Sequence, residues 1–220
     1  MKKFAAKTAR PIPVIILADT SGSMSVNGKI DALNFALKDL IGTFQEESRL
    51  NAEIHLSVIT FGGSAQEHLP MIPAHKIEGM EPLIATGGTP MGGALELAQQ
   101  IIEDKEKVPS RAYRPVIVMV SDGHPTDGYH QSFTNFCNSE RASKATRMAM
   151  AIGSDADESL MSDFVNDLEA PLFKAKDARD IIKFFRAVSM SITSRSRSAT
   201  PNQSAVLEFD DSVNELDLEF

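Results

Sequence analysis

Two apolar runs, residues 12–18 and 116–120, each end abruptly in small polar residues. A run without alternation marks a strand covered on both faces, hence a central strand of a parallel sheet between helices. The polar stretch 19–28 then predicts a loop. From Lys29 the residues Ile30, Leu33, Leu37, Leu40, Ile41 and Phe44 recur at helical spacing, opposite Lys38, Asp39, Glu46 and Glu47. Ile54, Leu56 and Val58 alternate with His55 and Ser57, and Gly62-Gly63-Ser64 turns the chain into a weaker run over 65–71. That pattern predicts a hairpin whose second arm is an antiparallel edge strand.

Pro73, Gly79 and Pro82 punctuate a connection into Thr86-Gly87-Gly88-Thr89-Pro90. A helix follows with Met91, Ala94, Leu95, Ala98, Ile101 and Ile102 inward, Thr89 as its N-cap and Pro90 at its first position. After 116–120 comes Ser121-Asp122-Gly123-His124-Pro125-Thr126-Asp127, a second polar loop at a strand end. Further on, the pattern predicts a helix within 130–146, short strands at 148–152 and 172–173, and a helix over 155–168. The last helix is expected over 177–191, burying Ile181, Phe185, Val188 and Ile192. Alternating strands and helices imply a doubly wound α/β architecture with a mostly parallel sheet, one antiparallel edge strand and helices on both faces. Ligands of such sheets sit at the strand carboxyl ends, where Asp19, Thr89 and Asp122 all fall.

Composition divides the rest. Residues 1–193 are expected to form the domain, and the Ser- and Arg-rich stretch 194–205 reads as an unstructured linker. In the acidic tail 206–220, Phe209, Val213, Leu216 and Phe220 share a helical face, while Leu216, Leu218 and Phe220 alternate as in a strand. Either form suits docking on a basic, apolar groove of a partner, and a plain solubilising tail is the alternative. Of the formal net charge of −8, half lies from Ser194 onward, and the acidic balance argues against nucleic acid. The single Cys137 permits neither an intramolecular disulfide nor a cysteine-rich zinc site. No stretch approaches the ~20 apolar residues of a membrane helix. The N-terminal apolar run is short, carries Pro11 and Pro13, and leads directly into the Asp19 loop, unlike a signal peptide. The expected location is the cytoplasm.

Asp19-x-Ser21-x-Ser23, Thr89 and Asp122 offer hard oxygen donors with no thiolate or imidazole among them. That set suits Mg²⁺, with Mn²⁺ or Ca²⁺ as alternatives. Two carboxylates about 5 Å apart repel by about 3 kcal/mol at an effective dielectric near 20, a cost that a cation between them reverses. Singly, the three hydroxyls are ordinary cap or turn residues, and the set as a whole carries the metal reading. His124 is a candidate for the site rim or a solvated loop residue. Thr126 and Asp127 are expected to buttress the turn without a ligand role, and His55, His68, His75 and His130 show no paired zinc spacing. Enzyme patterns fare worse. Gly92-Gly93-Ala94 stands where a phosphate loop needs Gly-Lys-Ser/Thr, Ser21 stands where a phosphatase needs its second Asp, and there is no G-x-S-x-G elbow.

Taken together, Asp19-x-Ser21-x-Ser23, Gly-Gly-Thr89-Pro and Ser-Asp122-Gly resemble the metal-ion-dependent adhesion site (MIDAS) of the von Willebrand factor A domain, over about residues 11–194. The resemblance implies that Ser21 and Ser23 bind the cation directly, Thr89 directly or through water, and Asp19 and Asp122 mainly through water or as alternating ligands. It implies a non-catalytic module in which a partner's Asp or Glu completes the metal's coordination. Within the family, Asp-Thr-Ser-Gly-Ser-Met, Gly-Gly-Thr-Pro-Met-Gly and Ser-Asp-Gly-x-Pro-Thr-Asp look most like the bacterial TerY-like proteins associated with tellurium resistance. That likeness implies an adaptor beside a serine/threonine kinase and a PP2C-type phosphatase in a stress-response assembly. A substrate-recruiting subunit for an AAA+ ATPase and a metal-dependent hydrolase are the competing expectations.

Overall fold

The structure is a computed structural model that describes residues 9–47, 52–166, 171–203, 207 and 209. In chain order the strands are β1 (Arg10–Asp19), β2 (Ala52–Gly62), β3 (Ser64–Pro73), β4 (Val116–Ser121), β5 (Thr146–Ile152) and β6 (Phe173–Ala175). The α-helices are α1 (Lys29–Glu46), α2 (Met91–Glu103), α3 (Tyr129–Asn138), α4 (Glu158–Phe164) and α5 (Ala178–Arg197). The described strands form one sheet in the order β3-β2-β1-β4-β5-β6, parallel except for β3, which pairs antiparallel with β2 at the edge.

β1 owes its central place to its composition. It has a neighbour on each edge and a helix layer on each face, and every residue after Arg10 is buried. Ile12, Val14, Ile16 and Ala18 face α1 and α5, whereas Ile15 and Leu17 face the layer of α2, α3 and α4. Each fully buried aliphatic side chain of this kind contributes about 1.5–3 kcal/mol relative to exposure. The chain leaves β1 toward β2 on one side and reaches β4 on the other. The gap at the carboxyl ends of β1 and β4 is thus the topological switch point, where open α/β sheets place ligands.

Connections follow from specific contacts. The Asn34 side chain of α1 clamps Leu83, donating to its carbonyl at 3.0 Å and accepting its N–H at 2.7 Å, which orders the segment leading to Thr86–Thr89. α2 starts at Met91 with Pro90 at the cap, so the expected N-cap role of Thr89 is corrected: the Gly92 and Gly93 N–H groups in the first turn of α2 are taken by the Asp127 carboxylate instead.

The C-terminal boundary also changes. α5 continues through Arg197, past the expected domain end at 193, and residues 198–203 of the expected linker fold back onto the domain, with 204–205 outside the described residues. Arg195 is buried, its Nε donating to the Pro201 carbonyl at 2.8 Å and its Nη2 to the Arg114 carbonyl at 3.0 Å. Ser196 and Arg197 both bond Glu47, just past the end of α1. Leu207 is buried against the α1 and α5 layer, and Phe209 stacks on Phe173 with ring centroids 4.7 Å apart. Phe209, expected to dock on a partner, stacks on Phe173 while staying 42% exposed; Val213, Leu216 and Phe220 lie outside the described residues. Among the described residues, no helix is long and apolar enough to cross a membrane.

Candidate metal centre

β1 and β4 run in parallel register with Ala18 opposite Val120, so Asp19 and Ser121 leave the sheet side by side. Ser121 Oγ donates to Asp19 Oδ2 at 2.5 Å, and the Ser21 N–H donates to Asp19 Oδ1 at 2.7 Å. Asp19 is fully buried. Burial pushes its carboxyl above the ordinary range; the hydrogen bonds from Ser121 and Ser21 oppose that shift, and the Asp122 charge adds to it.

The first loop curls into a short 3₁₀ turn (Gly22–Ser25) pinned by fully buried Met24. The turn brings the Ser21 and Ser23 hydroxyls to 3.0 Å from each other. Ser23 Oγ then donates to Asp122 Oδ1 at 2.6 Å, joining the β1 and β4 loops through two of the expected site residues.

Thr89 arrives on a third loop held by backbone contacts. The Gly22 N–H donates to the Gly87 carbonyl at 2.9 Å, the Gly63 N–H to the Gly88 carbonyl at 2.9 Å, and the Thr86 N–H to the Thr20 carbonyl at 2.7 Å. Gly87 has φ of +69°, and a Cβ there would stand 2.5 Å from the Gly63 Cα, so only glycine allows this crossing. The Thr89 hydroxyl lies against the Asp122-Gly123 turn, 3.7 Å from where a Cβ on Gly123 would be.

Two supports come from residues the sequence singles out only as a turn. Thr126 Oγ1 accepts the Thr89 N–H at 2.9 Å. The Asp127 carboxylate accepts the N–H groups of Gly92 and Gly93 at 3.1 and 3.0 Å, capping α2 from across the site. Gly92 must be small here, since a Cβ would stand 2.9 Å from Asp127 Oδ2. His124 is directed elsewhere: it is 70% exposed, and its Nδ1 lies 3.2 Å from Oδ2 of Asp157, the N-cap of α4.

Lys29, the first residue of α1, was not legible as part of the site. Its Nζ lies 2.6 Å from Asp122 Oδ2; the Asp122 side chain is 0% exposed and that of Lys29 18%. Asp122 therefore has both oxygens engaged, one by Ser23 and one by an ammonium.

The donor set fits a hard divalent cation. Among the described residues no group of three or more His, Cys, Asp and Glu side chains is placed to hold a metal ion, so a metal here depends on hydroxyls from Ser21, Ser23 and Thr89 beside the two carboxylates. The Lys29 ammonium stands in for such a cation on Asp122. The cavity of about 500 Å³ between α1 and the 78–82 segment, lined by Phe35, Ile41, Met80 and Pro82, lies apart from these loops.

The sequence matches the profile of the von Willebrand factor type A domain over residues 14–124, half of the chain, from β1 through the Asp122 loop. This chain belongs to the von Willebrand factor type A domain family. It is 33% identical over 119 residues to the uncharacterized protein Rv2850c of Mycobacterium tuberculosis (strain ATCC 25618 / H37Rv), a match spanning 52% of this chain and 18% of that protein. The chain thus corresponds to under a fifth of that curated relative. Among solved structures, it is similar to proximal thread matrix protein 1 from the mussel byssus with a zinc-occupied MIDAS motif. There the TM-score is 0.64 at 14% identity, covering 86% of this chain and 49% of that one. It is similar also to the von Willebrand factor type A protein of Catenulispora acidiphila, at TM-score 0.62 and 20% identity, covering 83% and 42%. BatB of Bacteroides thetaiotaomicron gives TM-score 0.59 at 17% identity, covering 85% of this chain and all of BatB. These structures share the vWA fold seen here, a mostly parallel sheet wrapped by helices.

Proposed function

We propose that this vWA domain is a non-catalytic, divalent-metal-dependent protein-binding module whose ligand is a carboxylate side chain of a partner. One observation carries the reading: oxygen donors from three loops converge at the switch point around two buried carboxylates, one of which already holds a cation. A Mg²⁺ ion at such a site keeps an exchangeable coordination position that an Asp or Glu of a partner can fill. Ser21, Ser23 and Thr89 would hold the ion with neutral oxygens, so its charge stays available to the incoming ligand. Asp19 and Asp122, fixed by Ser121 and Ser23, would orient that shell and balance the charge.

His124, the nearest imidazole along the chain to Asp122, is engaged with Asp157, so the loops contribute oxygen ligands instead of a general base. The finer setting rests on motif resemblance to TerY-like proteins: a cytoplasmic adaptor in a bacterial stress-response assembly, beside a serine/threonine kinase and a PP2C-type phosphatase. Pulldown from native lysate tests it, with wild type and Asp19→Ala compared in Mg²⁺ and in EDTA. A kinase or phosphatase retained only by wild type in Mg²⁺ is the expected result. Retention of the same proteins by Asp19→Ala, or in EDTA, would refute metal-dependent capture.

A further inference from the structure

Lys29 stands where helix electrostatics disfavour it. The N-terminus of an α-helix carries partial positive charge from its unpaired N–H groups, and an acidic residue is the usual occupant of the first turn. Here the first helical residue is a lysine, delivered by two consecutive left-handed residues, Asn27 with φ of +58° and Gly28 with φ of +69°. This turn points the side chain back over the strand ends, where its ammonium meets Asp122 Oδ2 at 2.6 Å.

We propose that Lys29 is a tethered competitor of the divalent cation, an internal counter-ion that occupies Asp122 in the metal-free domain and must leave it for metal to bind. The inference rests on the metal reading of the same loops. A fully buried carboxylate without a cation is costly, and the ammonium supplies one. Departure needs no backbone movement, because the four-carbon stem of lysine is flexible and the side chain already has a path to solvent at 18% exposure. Binding then becomes an exchange of one cation for another at Asp122 Oδ2. The apparent affinity for metal is lowered by the fraction of time Lys29 holds the site. Lys29 thus sets the metal concentration at which the domain becomes competent for a carboxylate partner, and it preserves the loop geometry below that concentration.

The test is calorimetric titration of the full chain with MgCl₂ and MnCl₂, comparing wild type, Lys29→Met, Lys29→Arg and Asp19→Ala. Lys29→Met should bind metal on the order of tenfold more tightly than wild type. Its metal-free melting temperature should be lower and its metal-induced rise larger. Lys29→Arg, which keeps the charge, should stay near wild type. Unchanged or weaker affinity in Lys29→Met, or an equal gain in Lys29→Arg, overturns the competition. Metal binding absent from wild type and Lys29→Met alike overturns the metal reading, and the competition with it. A second readout needs no variant: reductive methylation of Lys29 in wild type, followed by mass spectrometry, should accelerate severalfold in saturating Mg²⁺. A rate indifferent to Mg²⁺ contradicts the exchange.

Discussion

Ser121 Oγ and Asp19 Oδ2 meet at 2.5 Å across the boundary between β4 and β1. The contact fixes one carboxylate of the candidate metal centre from the residue just before the other, tying the two acidic loops together. Removing the hydroxyl leaves a fully buried carboxylate oxygen without that donor. Ser121→Ala should therefore cost about 1–3 kcal/mol of stability, the usual penalty for a buried group stripped of its hydrogen bond. Urea unfolding monitored by circular dichroism checks it, and Ser121→Thr, which keeps a hydroxyl, should recover part of the loss.

The Asp127 carboxylate caps α2 while lying at the end of the Asp122 loop. Asp127→Ala should destabilise the domain by about 1–2 kcal/mol through loss of this cap and of favourable charge at a helix N-terminus. Because α2 follows directly on Thr89, the substitution should also weaken metal binding severalfold. Thermal unfolding with and without Mg²⁺ separates the two effects.

Much of this arrangement is legible in the sequence, for physical reasons. The runs 12–18 and 116–120 are apolar without interruption because both strands are covered on both faces, and such strands terminate where polarity begins, at Asp19 and Ser121. The spacing of Asp19, Ser21 and Ser23 is local, so it survives as a pattern. What is not legible depends on contacts between distant residues. Lys29 reads as an ordinary solvated helix residue until Asp122 is placed beside it, and its one signal is a cation where a helix prefers an acid. Asp127 and Thr126 look like turn residues because the N–H groups they accept from, on Gly92, Gly93 and Thr89, lie more than 30 residues away at the start of α2. The Ser-Arg stretch reads as a linker by composition, yet the Pro201 and Arg114 carbonyls give the Arg195 guanidinium a buried seat. Burial lowers its pKa to about 10, with the Arg114 charge adding to that shift, which leaves it charged at neutral pH.

Glu47 links the ends of α1 and α5, accepting from Ser196 Oγ at 2.6 Å and from Arg197 Nη2 at 2.8 Å. Burial pushes its carboxyl up, but the Arg197 and Ser196 hydrogen bonds and the Arg197 charge outweigh burial and hold it below the ordinary value of 4.5. A folded pKa below the unfolded one contributes stability that is present above the unfolded value and lost as pH falls through the folded one. Glu47→Gln should therefore destabilise at pH 7, by about 1 kcal/mol given the exposure of Arg197. The difference from wild type should vanish at a pH below the folded value. Urea unfolding of both proteins over a series of pH values falling from 7 measures it.

Leu207 is buried against the α1 and α5 layer. Leu207→Ala should cost about 2–3 kcal/mol, as for other truncations of buried leucine, while leaving metal affinity unchanged because the contact is remote from the strand ends. Chemical denaturation and calorimetric titration of the same sample test both halves.

Asp19, Ser21, Ser23, Thr89 and Asp122 are proposed to form one divalent-metal site. Mn²⁺ titration followed by electron paramagnetic resonance reads it directly, since the signal of free aqueous Mn²⁺ falls as the ion binds. Wild type should take up one Mn²⁺ per chain, displaceable by Mg²⁺, and Ser21→Ala combined with Ser23→Ala should take up none while remaining folded. Uptake by the double variant equal to that of wild type, or no uptake by wild type, would contradict the account.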